Sequence, residues 1–448
     1  MANTISKNVG GLRWWVVGLI ALATVINYID RQALGVLWPN IAADLYPNET
    51  DDGRKEIYAW ITGSFIFFYA MGQTIFGKIF DWIGTRLGFA LSISVWSIAT
   101  ALHAFASGAW SFAIFRSILG VAEAGNWPGA AKGNAEWFPT HERAFAQGLF
   151  NSGAAIGGIV AIPAIALMTI YFSWQIIFIV IGLIGLLWLI PWLLIVKAPP
   201  EYHPNISEEE RQYILTGQQT SDEDEVPEEN AYNPTTAQLL GHKESWGVII
   251  ASAAIDPIWW LFVVWIPIYL NGVYGMDVKT IGLYGWVPYV GAMFGAWFGG
   301  LLAQNRIKAG WDVNKTRKWV ITLGCLIMFP SFFVLMNPGS PTIAVVVMAV
   351  ILFGFQTAIG NVQTLPSDLF NKNTVGTLAG IAGTGAKLGA FGLTILVPML
   401  TAGNNYTPAF YVGAALTILA LFAVWVLIPR VEPVKRVALD SINILDQK

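Results

Sequence analysis

Apolar residues recur along this chain in runs of spanning length separated by short polar connections. The pattern predicts helices near 14–38, 58–77, 88–106, 109–131, 144–168, 174–196, 246–270, 280–303, 319–337, 341–364, 375–401 and 405–429. A helix needs about 20 mostly apolar residues to cross a bilayer, so twelve such runs predict an all-α membrane protein. Between the sixth and seventh runs lies a polar stretch, 198–245, with the acidic cluster Asp222, Glu223, Asp224, Glu225, Glu228 and Glu229. Few apolar residues accompany it, which predicts a partly disordered cytoplasmic linker. The chain then divides into an N-terminal six-helix half (1–197), the linker (198–245), a C-terminal six-helix half (246–429) and a cytoplasmic tail (430–448). This is the organisation expected when two repeats rock about a central site.

Composition supports lipid as the solvent. The chain is 55% hydrophobic and 12% charged, against roughly 25% charged residues in a soluble domain. With a cytoplasmic amino terminus, the outer connections hold only Arg54, Lys55 and Lys279, and the other basic loop residues fall inside. The positive-inside rule therefore places both termini in the cytoplasm. Lys7 and Arg13 precede an apolar run containing Ala21-Leu22-Ala23, as in a signal peptide. The run continues through Arg31 to Trp38, however, and further spans follow, so retention in the membrane is expected. A single cysteine, Cys325, excludes a disulfide framework within one chain. His103, His141, His203 and His242 are scattered through predicted connections, so no metal centre is expected. No glycine run has the strand-turn-helix context of a nucleotide fingerprint, so no cofactor is expected and an ion gradient is the remaining drive. A net charge of -3 points to no nucleic acid.

Six ionisable residues fall inside the predicted spans: Asp30, Arg31, Arg116, Glu123, Asp256 and Lys387. Each costs at least about 2.5–3.5 kcal/mol there, so such residues face an interior or a wet cavity and serve a task. A rise of about 1.5 Å per residue puts Arg31 and Arg116 at similar depths in helices one and four. Two guanidinium groups at one depth suit a carboxylate, because arginine offers planar paired donors and stays charged. Glu123 follows Arg116 by seven residues, on nearly the same face two turns deeper. A carboxyl group there can bind and release a proton as the cavity opens to either side, with Asp30 as a second proton-coupling candidate. The alternative is that the four charges merely neutralise one another between helices. Asp256 precedes Pro257 and is followed by Trp259, Trp260 and Trp265, a carboxylate beside an aromatic wall where the proline is expected to break helix seven. Sugar hydroxyls and C–H faces suit that pairing, although tryptophans in spans also serve packing. Gln356, Asn361, Gln363, Asn151 and Ser152 supply either hydroxyl partners or interhelical hydrogen bonds. Lys387 has two candidate partners, Asp256 and the substrate. Glycines at 120, 125 and 129, and at 380, 383, 385 and 389, allow close helix approach.

The motifs resemble a known family. Gly77-Lys78-Ile79-Phe80-Asp81-Trp82-Ile83-Gly84-Thr85-Arg86 is similar to the loop signature between helices two and three of the major facilitator superfamily. A trace repeats in the second half as Gly300-x-x-x-Gln304, followed by Arg317-Lys318. Asn27-Tyr28-Ile29-Asp30-Arg31, Ala122-Glu123-Ala124-Gly125-Asn126-Trp127-Pro128, Glu136-Trp137-Phe138-Pro139-x-x-Glu142-Arg143 and Asp256-Pro257-Ile258-Trp259-Trp260 resemble its anion:cation symporter family. The last of these, with Arg317-Lys318 and Leu365-Pro366-Ser367-Asp368-Leu369-Phe370, is most similar to the hexuronate transporters. The resemblance covers essentially the whole chain. It implies proton-coupled uptake of glucuronate or galacturonate by alternating access across a bacterial inner membrane, with a monomer as the expected unit. Transport of an aldonate or another organic anion is the alternative, and a non-transporting anion receptor a more distant one. By resemblance Arg31 and Arg116 match residues that bind the substrate carboxylate, Glu123 and Asp30 match coupling carboxylates, and Tyr28 and Tyr69 match cavity-lining tyrosines. Gly77, Asp81, Gly84 and Arg86 match a cytoplasmic gate. The candidate substrate set is thus Tyr28, Arg31, Tyr69, Arg116, Asp256, Trp259, Trp260, Gln356, Asn361 and Lys387. Three departures stand out: Ser252, Ala253 and Ala254 occupy the place where many hexuronate relatives carry an arginine, Gln304 replaces an acid, and Lys387 is not a usual family feature. No nucleophile–base pair lies in the spans, so no enzyme is expected.

Overall fold

A computed structural model of the chain describes residues 11–139, 142–219, 234–370 and 372–434, without the side chains of Asp81, 143–145, 218–219, 372–373 and 375–376. The acidic cluster of the linker, His141, the Asp81 carboxylate and the 435–448 tail lie outside the described residues.

The described residues are helical, without strands. The N-terminal half comprises α1 (Leu12–Leu45), α2 (Asp51–Leu102), α3 (Ala109–Glu123), α4 (Asn126–Trp137), α5 (Arg143–Met168) and α6 (Trp174–Ile195). Between the halves lie α7 (Glu208–Gln219) and α8 (Thr236–Gly241). The C-terminal half comprises α9 (Lys243–Tyr274), α10 (Val278–Tyr284), α11 (Val287–Lys308), α12 (Val313–Leu335), α13 (Pro341–Leu369), α14 (Lys372–Leu400) and α15 (Thr407–Phe422). A final π turn carries α15 on to Leu427. Together the described residues make twelve crossings of one bundle. Ten of these lie in helices long and apolar enough to span a membrane on length and composition alone. The others are the first arm of α2 and the broken α3–α4 pair. The helix α2 supplies two crossings because it folds back at Gly84, whose φ of 78° is left-handed and natural only to glycine. Exposed aromatics mark both rims, with Trp15 and Trp82 near one and Trp60, Trp110 and Tyr171 near the other, as expected at membrane–water interfaces. The rim that holds both described chain ends is called here the terminal face, and its opposite the far face.

Helix seven corrects one expectation. The helix α9 is continuous through Pro257 and Pro267 rather than broken there. Proline removes the bond to the Ala253 carbonyl, yet α14 packs so tightly at this point that a Cβ on Gly389 would lie 2.7 Å from that oxygen. Neighbouring helices thus hold the proline-interrupted ladder in line. Breaks occur instead in crossing four, immediately after Glu123, and in crossing eight at Gly285 and Trp286.

Small residues set the interhelical spacing. Gly291, Gly295 and Gly299 of α11 lie directly against the backbone at Ala349, Phe353 and Thr357 of α13, with no room for a Cβ. Without a hydrophobic drive between helices in lipid, this backbone proximity supplies the packing. The internal repeat also shows in the contacts. Arg86, at the start of crossing three, donates to the Val196 carbonyl at the end of α6 (2.7 Å), and Lys318, at the start of crossing nine, donates to the Pro429 carbonyl beyond α15 (2.8 Å). Cations at helix C-termini offset unsatisfied carbonyls, once in each half.

Linker helix α7 is docked on the first half. Its Glu210 accepts from the backbone N–H groups of Leu12 and Arg13, capping α1, and pairs with the Arg13 side chain (3.0 Å). Among the described residues, the hydrogen bonds that join the two halves lie between mid-depth and the far face. Tyr58 donates to the Val264 carbonyl (2.7 Å), and the Gln32 amide donates to the Tyr289 hydroxyl. At the rim, Lys55 donates to the Thr401 carbonyl (3.0 Å) while Asp52 accepts from the Gly403 N–H (3.1 Å). The halves are therefore fastened on the far face.

Two predictions follow from these contacts. Gly295→Val would force α11 away from α13, and thermal unfolding in detergent should show a loss of about 1–3 kcal/mol. At the rim, the Gly403 amide and then the Lys55 ammonium hold the Asp52 carboxyl below the usual carboxylate range. A lowered native pKa keeps the clasp intact at neutral pH and releases it as pH falls through that lowered value. Spin labels at positions 48 and 337 should separate on such acidification, and already at neutral pH in Asp52→Ala. Distances indifferent to both changes would refute the clasp.

Candidate binding site

The centre of the bundle is built around Arg31, on the inward face of α1. Its guanidinium pairs with Glu123 at the end of α3 (3.1 Å) and donates to Asn27 one turn earlier on its own helix (2.9 Å). Four aromatic rings surround it: Tyr28 at 4.8 Å, Tyr69 and Trp260 at 5.1 Å, and Phe65 at 5.6 Å from ring centroid to Cζ. Cation–π contacts contribute about 0.5–2 kcal/mol each when desolvated, so the box both orients the arginine and shields it from water. The side chains of Arg31 and Glu123 are only 4% and 0% exposed.

Arg116 also lies against Phe65, its Cζ 5.7 Å from that ring. Its position follows from Gly120, one turn on, which rests against the Phe65 carbonyl of α2 with no space for a side chain. Although buried, Arg116 leaves Nε and Nη2 without hydrogen-bond partners. Glu123 Oε1 and both oxygens of Asp30 are likewise unpartnered. Glu123, Asp30 and Arg31 all stand within electrostatic reach of Arg116. The four charges are formally balanced, but only Arg31 and Glu123 are joined. One buried cation and two buried carboxylates keep open bonding positions, an arrangement suited to an anion and a proton.

The C-terminal half contributes a second pair. Lys387 of α14 binds Asp256 of α9 at 2.7 Å, which decides between the two partners open to it in this state. The indole N–H of Trp260 donates to the same Asp256 oxygen (3.1 Å). Trp259 stacks on Phe355 (5.4 Å) and meets Tyr28 and Tyr289 edge-on (6.4 and 6.0 Å), forming the aromatic wall between the halves. Gln356 follows Phe355 on α13 and is half-buried. Asn361 is drawn elsewhere: it accepts from Arg317 (3.1 Å), which is paired with Asp368 (2.9 Å), so it belongs to a terminal-face network. Asn151 and Ser152 of α5 bond within their own helix, to Gln147 and Gly148.

Several participants escape a reading of charged residues alone. Asn27 carried a usable signal, a polar residue one turn before Arg31 inside an apolar run. Gln32 and Tyr289, which bridge the halves, carried a weaker one. Phe65 carried none, since a phenylalanine in a span is the default residue. Of the gate residues, Gly84 makes the fold in α2 and Arg86 holds the end of α6. Gly77 has open space where a Cβ would stand. Of the histidines expected in connections, His103 is buried at the end of crossing three and stacked on Phe178 (5.0 Å), and His203 is buried too. Among the described residues no His, Cys, Asp and Glu cluster could hold a metal ion.

The profile described as Major Facilitator Superfamily matches residues 20–394. The chain is 29% identical over 439 residues to the hexuronate transporter of Escherichia coli K12, covering 98% of each chain. It is 33% identical over 321 residues to the galacturonate transporter of Dickeya chrysanthemi, covering 71% of this chain and 89% of that one. In three dimensions it is similar to the Escherichia coli xylose transporter XylE in a partially occluded inward-open conformation. That match has a TM-score of 0.70 at 14% identity and covers 94% and 99% of the two chains.

The unequal pairing of the two arginines has a measurable consequence. Arg31→Met strands Glu123 and should destabilise the fold by about 3–5 kcal/mol, whereas Arg116→Met removes a charge with no hydrogen-bonded partner and should be neutral or stabilising. Thermal unfolding in detergent checks this, and equal losses in both variants would contradict the arrangement described.

Proposed function

The chain belongs to the Major Facilitator Superfamily and is a membrane transporter, and we propose that it takes up a hexuronate such as glucuronate or galacturonate together with a proton by alternating access. The observation that carries this reading is the buried Arg116 with two open donors, beside an Arg31–Glu123 pair. The names of relatives matched along nearly their whole length support a sugar acid as the cargo.

The chemistry follows from charge balance. A substrate carboxylate docks on Arg116 and competes with Glu123 for Arg31. Glu123 gives up that partner at least cost if it takes a proton, because an unpaired carboxylate in this setting is expensive. One anion and one proton then enter together, and the net charge of the cluster is unchanged. On release the steps reverse: the proton leaves Glu123, the carboxylate recaptures Arg31, and the substrate loses its anchor. Asp30, unpartnered and near Arg116, is a second proton acceptor in the same field. Tyr28, Tyr69, Trp259 and Trp260 exclude water and line the sugar's path, with Gln356 as a hydroxyl partner.

The basic residues of the terminal-face loops support cytoplasmic termini and an inner-membrane location. The described state, fastened at the far face, is then inward-facing. Gly77, Asp81, Gly84 and Arg86 form the gate that closes on the cytoplasmic side, where the space beside Gly77 leaves room for the other half to approach. A single chain holds both halves of the site, so the working unit is the monomer.

Uptake of radiolabelled glucuronate or galacturonate into proteoliposomes tests the reading. Accumulation should follow an imposed pH gradient. Glu123→Gln should exchange labelled for unlabelled substrate but no longer accumulate it, and Arg116→Ala should weaken binding on the order of a hundredfold or more. Uptake indifferent to the gradient would remove proton coupling, and normal accumulation by both variants would remove the site.

A further inference from the structure

The Asp256–Lys387 pair differs from the Arg31–Glu123 pair in ways that bear on which sugar acid fits. Its side chains are 13% and 16% exposed, so it stands nearer the opening while the arginine cluster lies deeper. Trp260 touches both. Its ring faces Arg31 at 5.1 Å and Lys387 at 5.6 Å, and its N–H anchors Asp256. Asp256 Oδ2 accepts both bonds, one from Lys387 and one from Trp260, and among the described residues Oδ1 has no partner. The Lys387 ammonium has three donors and spends one of them on Asp256. An open carboxylate acceptor and spare ammonium donors therefore adjoin one another, and Trp260, itself buried, holds Asp256 in place.

That set matches neighbouring hydroxyl groups of a polyol, not a second anion. One hydroxyl donates to Oδ1, the next accepts from Nζ, and the ion pair need not break. A second carboxylate would find Lys387 already neutralised and Asp256 facing it, and like charges brought together at a site cost several kcal/mol. Resting on the sugar-acid reading above, we propose that Asp256 and Lys387, with Asp256 positioned by Trp260, read the hydroxyl end of the substrate. The site thereby selects sugar acids with one carboxylate and rejects six-carbon dicarboxylates. Specificity here comes from a repelling group as well as an attracting one.

Competition against labelled glucuronate counterflow in proteoliposomes, with unlabelled glucuronate and glucarate as competitors, tests the proposal with the full chain. In the wild type glucarate should compete at least ~tenfold more weakly. Asp256→Asn preserves size, frees the Lys387 charge and should move the ratio at least ~tenfold toward glucarate. Lys387→Gln exposes the Asp256 charge and should move it the other way. A wild type that takes both acids equally overturns the proposal while leaving the sugar-acid reading intact. One that takes neither overturns that reading. Should one variant fail to fold, the other still decides, since an unchanged ratio in either transporting variant refutes the assignment. If neither folds, the wild-type ratio decides.

Discussion

A buried guanidinium with unmet hydrogen-bonding capacity is the constraint around which this molecule is arranged. Removing such a charge from water costs several kcal/mol even after relaxation, and the cost is recovered only if partners are supplied. Arg31 has its partners in Glu123, Asn27 and four rings. Arg116 has Phe65 on one side and charges at a distance, but no hydrogen bond from Nε or Nη2. A guanidinium in this state leaves part of its desolvation cost unrecovered. Gly120 sets α3 against the backbone of α2 at Phe65, and the break after Glu123 ends α3 at the cluster itself.

The same reasoning explains why two ion pairs, one from each half, meet at a single tryptophan. Paired charges in the low-dielectric interior are mutually stabilising only while their geometry holds, and the Trp260 ring lies against the cation of each pair. The halves also carry parallel hardware. Arg86 secures the end of α6 as Lys318 secures the chain beyond α15, which makes each half a self-contained body. Among the described residues, the hydrogen bonds between the halves lie between mid-depth and the far face. At the rim these are the bonds of Lys55 to the Thr401 carbonyl and of the Gly403 N–H to Asp52, next to exposed surface where water can replace them.

Much of the site could be read from the chain before its fold was known, and the parts that could not share a cause. Arg31, Arg116, Glu123, Asp256 and Lys387 announce themselves because charge in an apolar run is expensive wherever the run is placed. Asn361 carried the same kind of signal and yet is drawn to Arg317, because polarity marks a residue as needing a partner without saying which. Pro257 was expected to break its helix. The outcome turned on Gly389 and the other neighbours packed on α9, which a local rule does not contain. Phe65, the ring shared by both arginines, is chemically indistinguishable in sequence from the lipid-facing phenylalanines.

Hydrophobic periodicity, loop charge and the cost of intramembrane ions are additive along the chain, so the sequence alone determined the class of protein, the crossings and the short roster of charged residues within them. Which of those residues pair, which stay open, and which helix breaks depend on contacts between segments up to a hundred or more positions apart. Glu123 meets Arg31 rather than Arg116, and Lys387 meets Asp256, only because particular glycines admit particular backbones. Pairing in a low-dielectric interior falls off with distance and depends on angle, and both are properties of the assembled bundle.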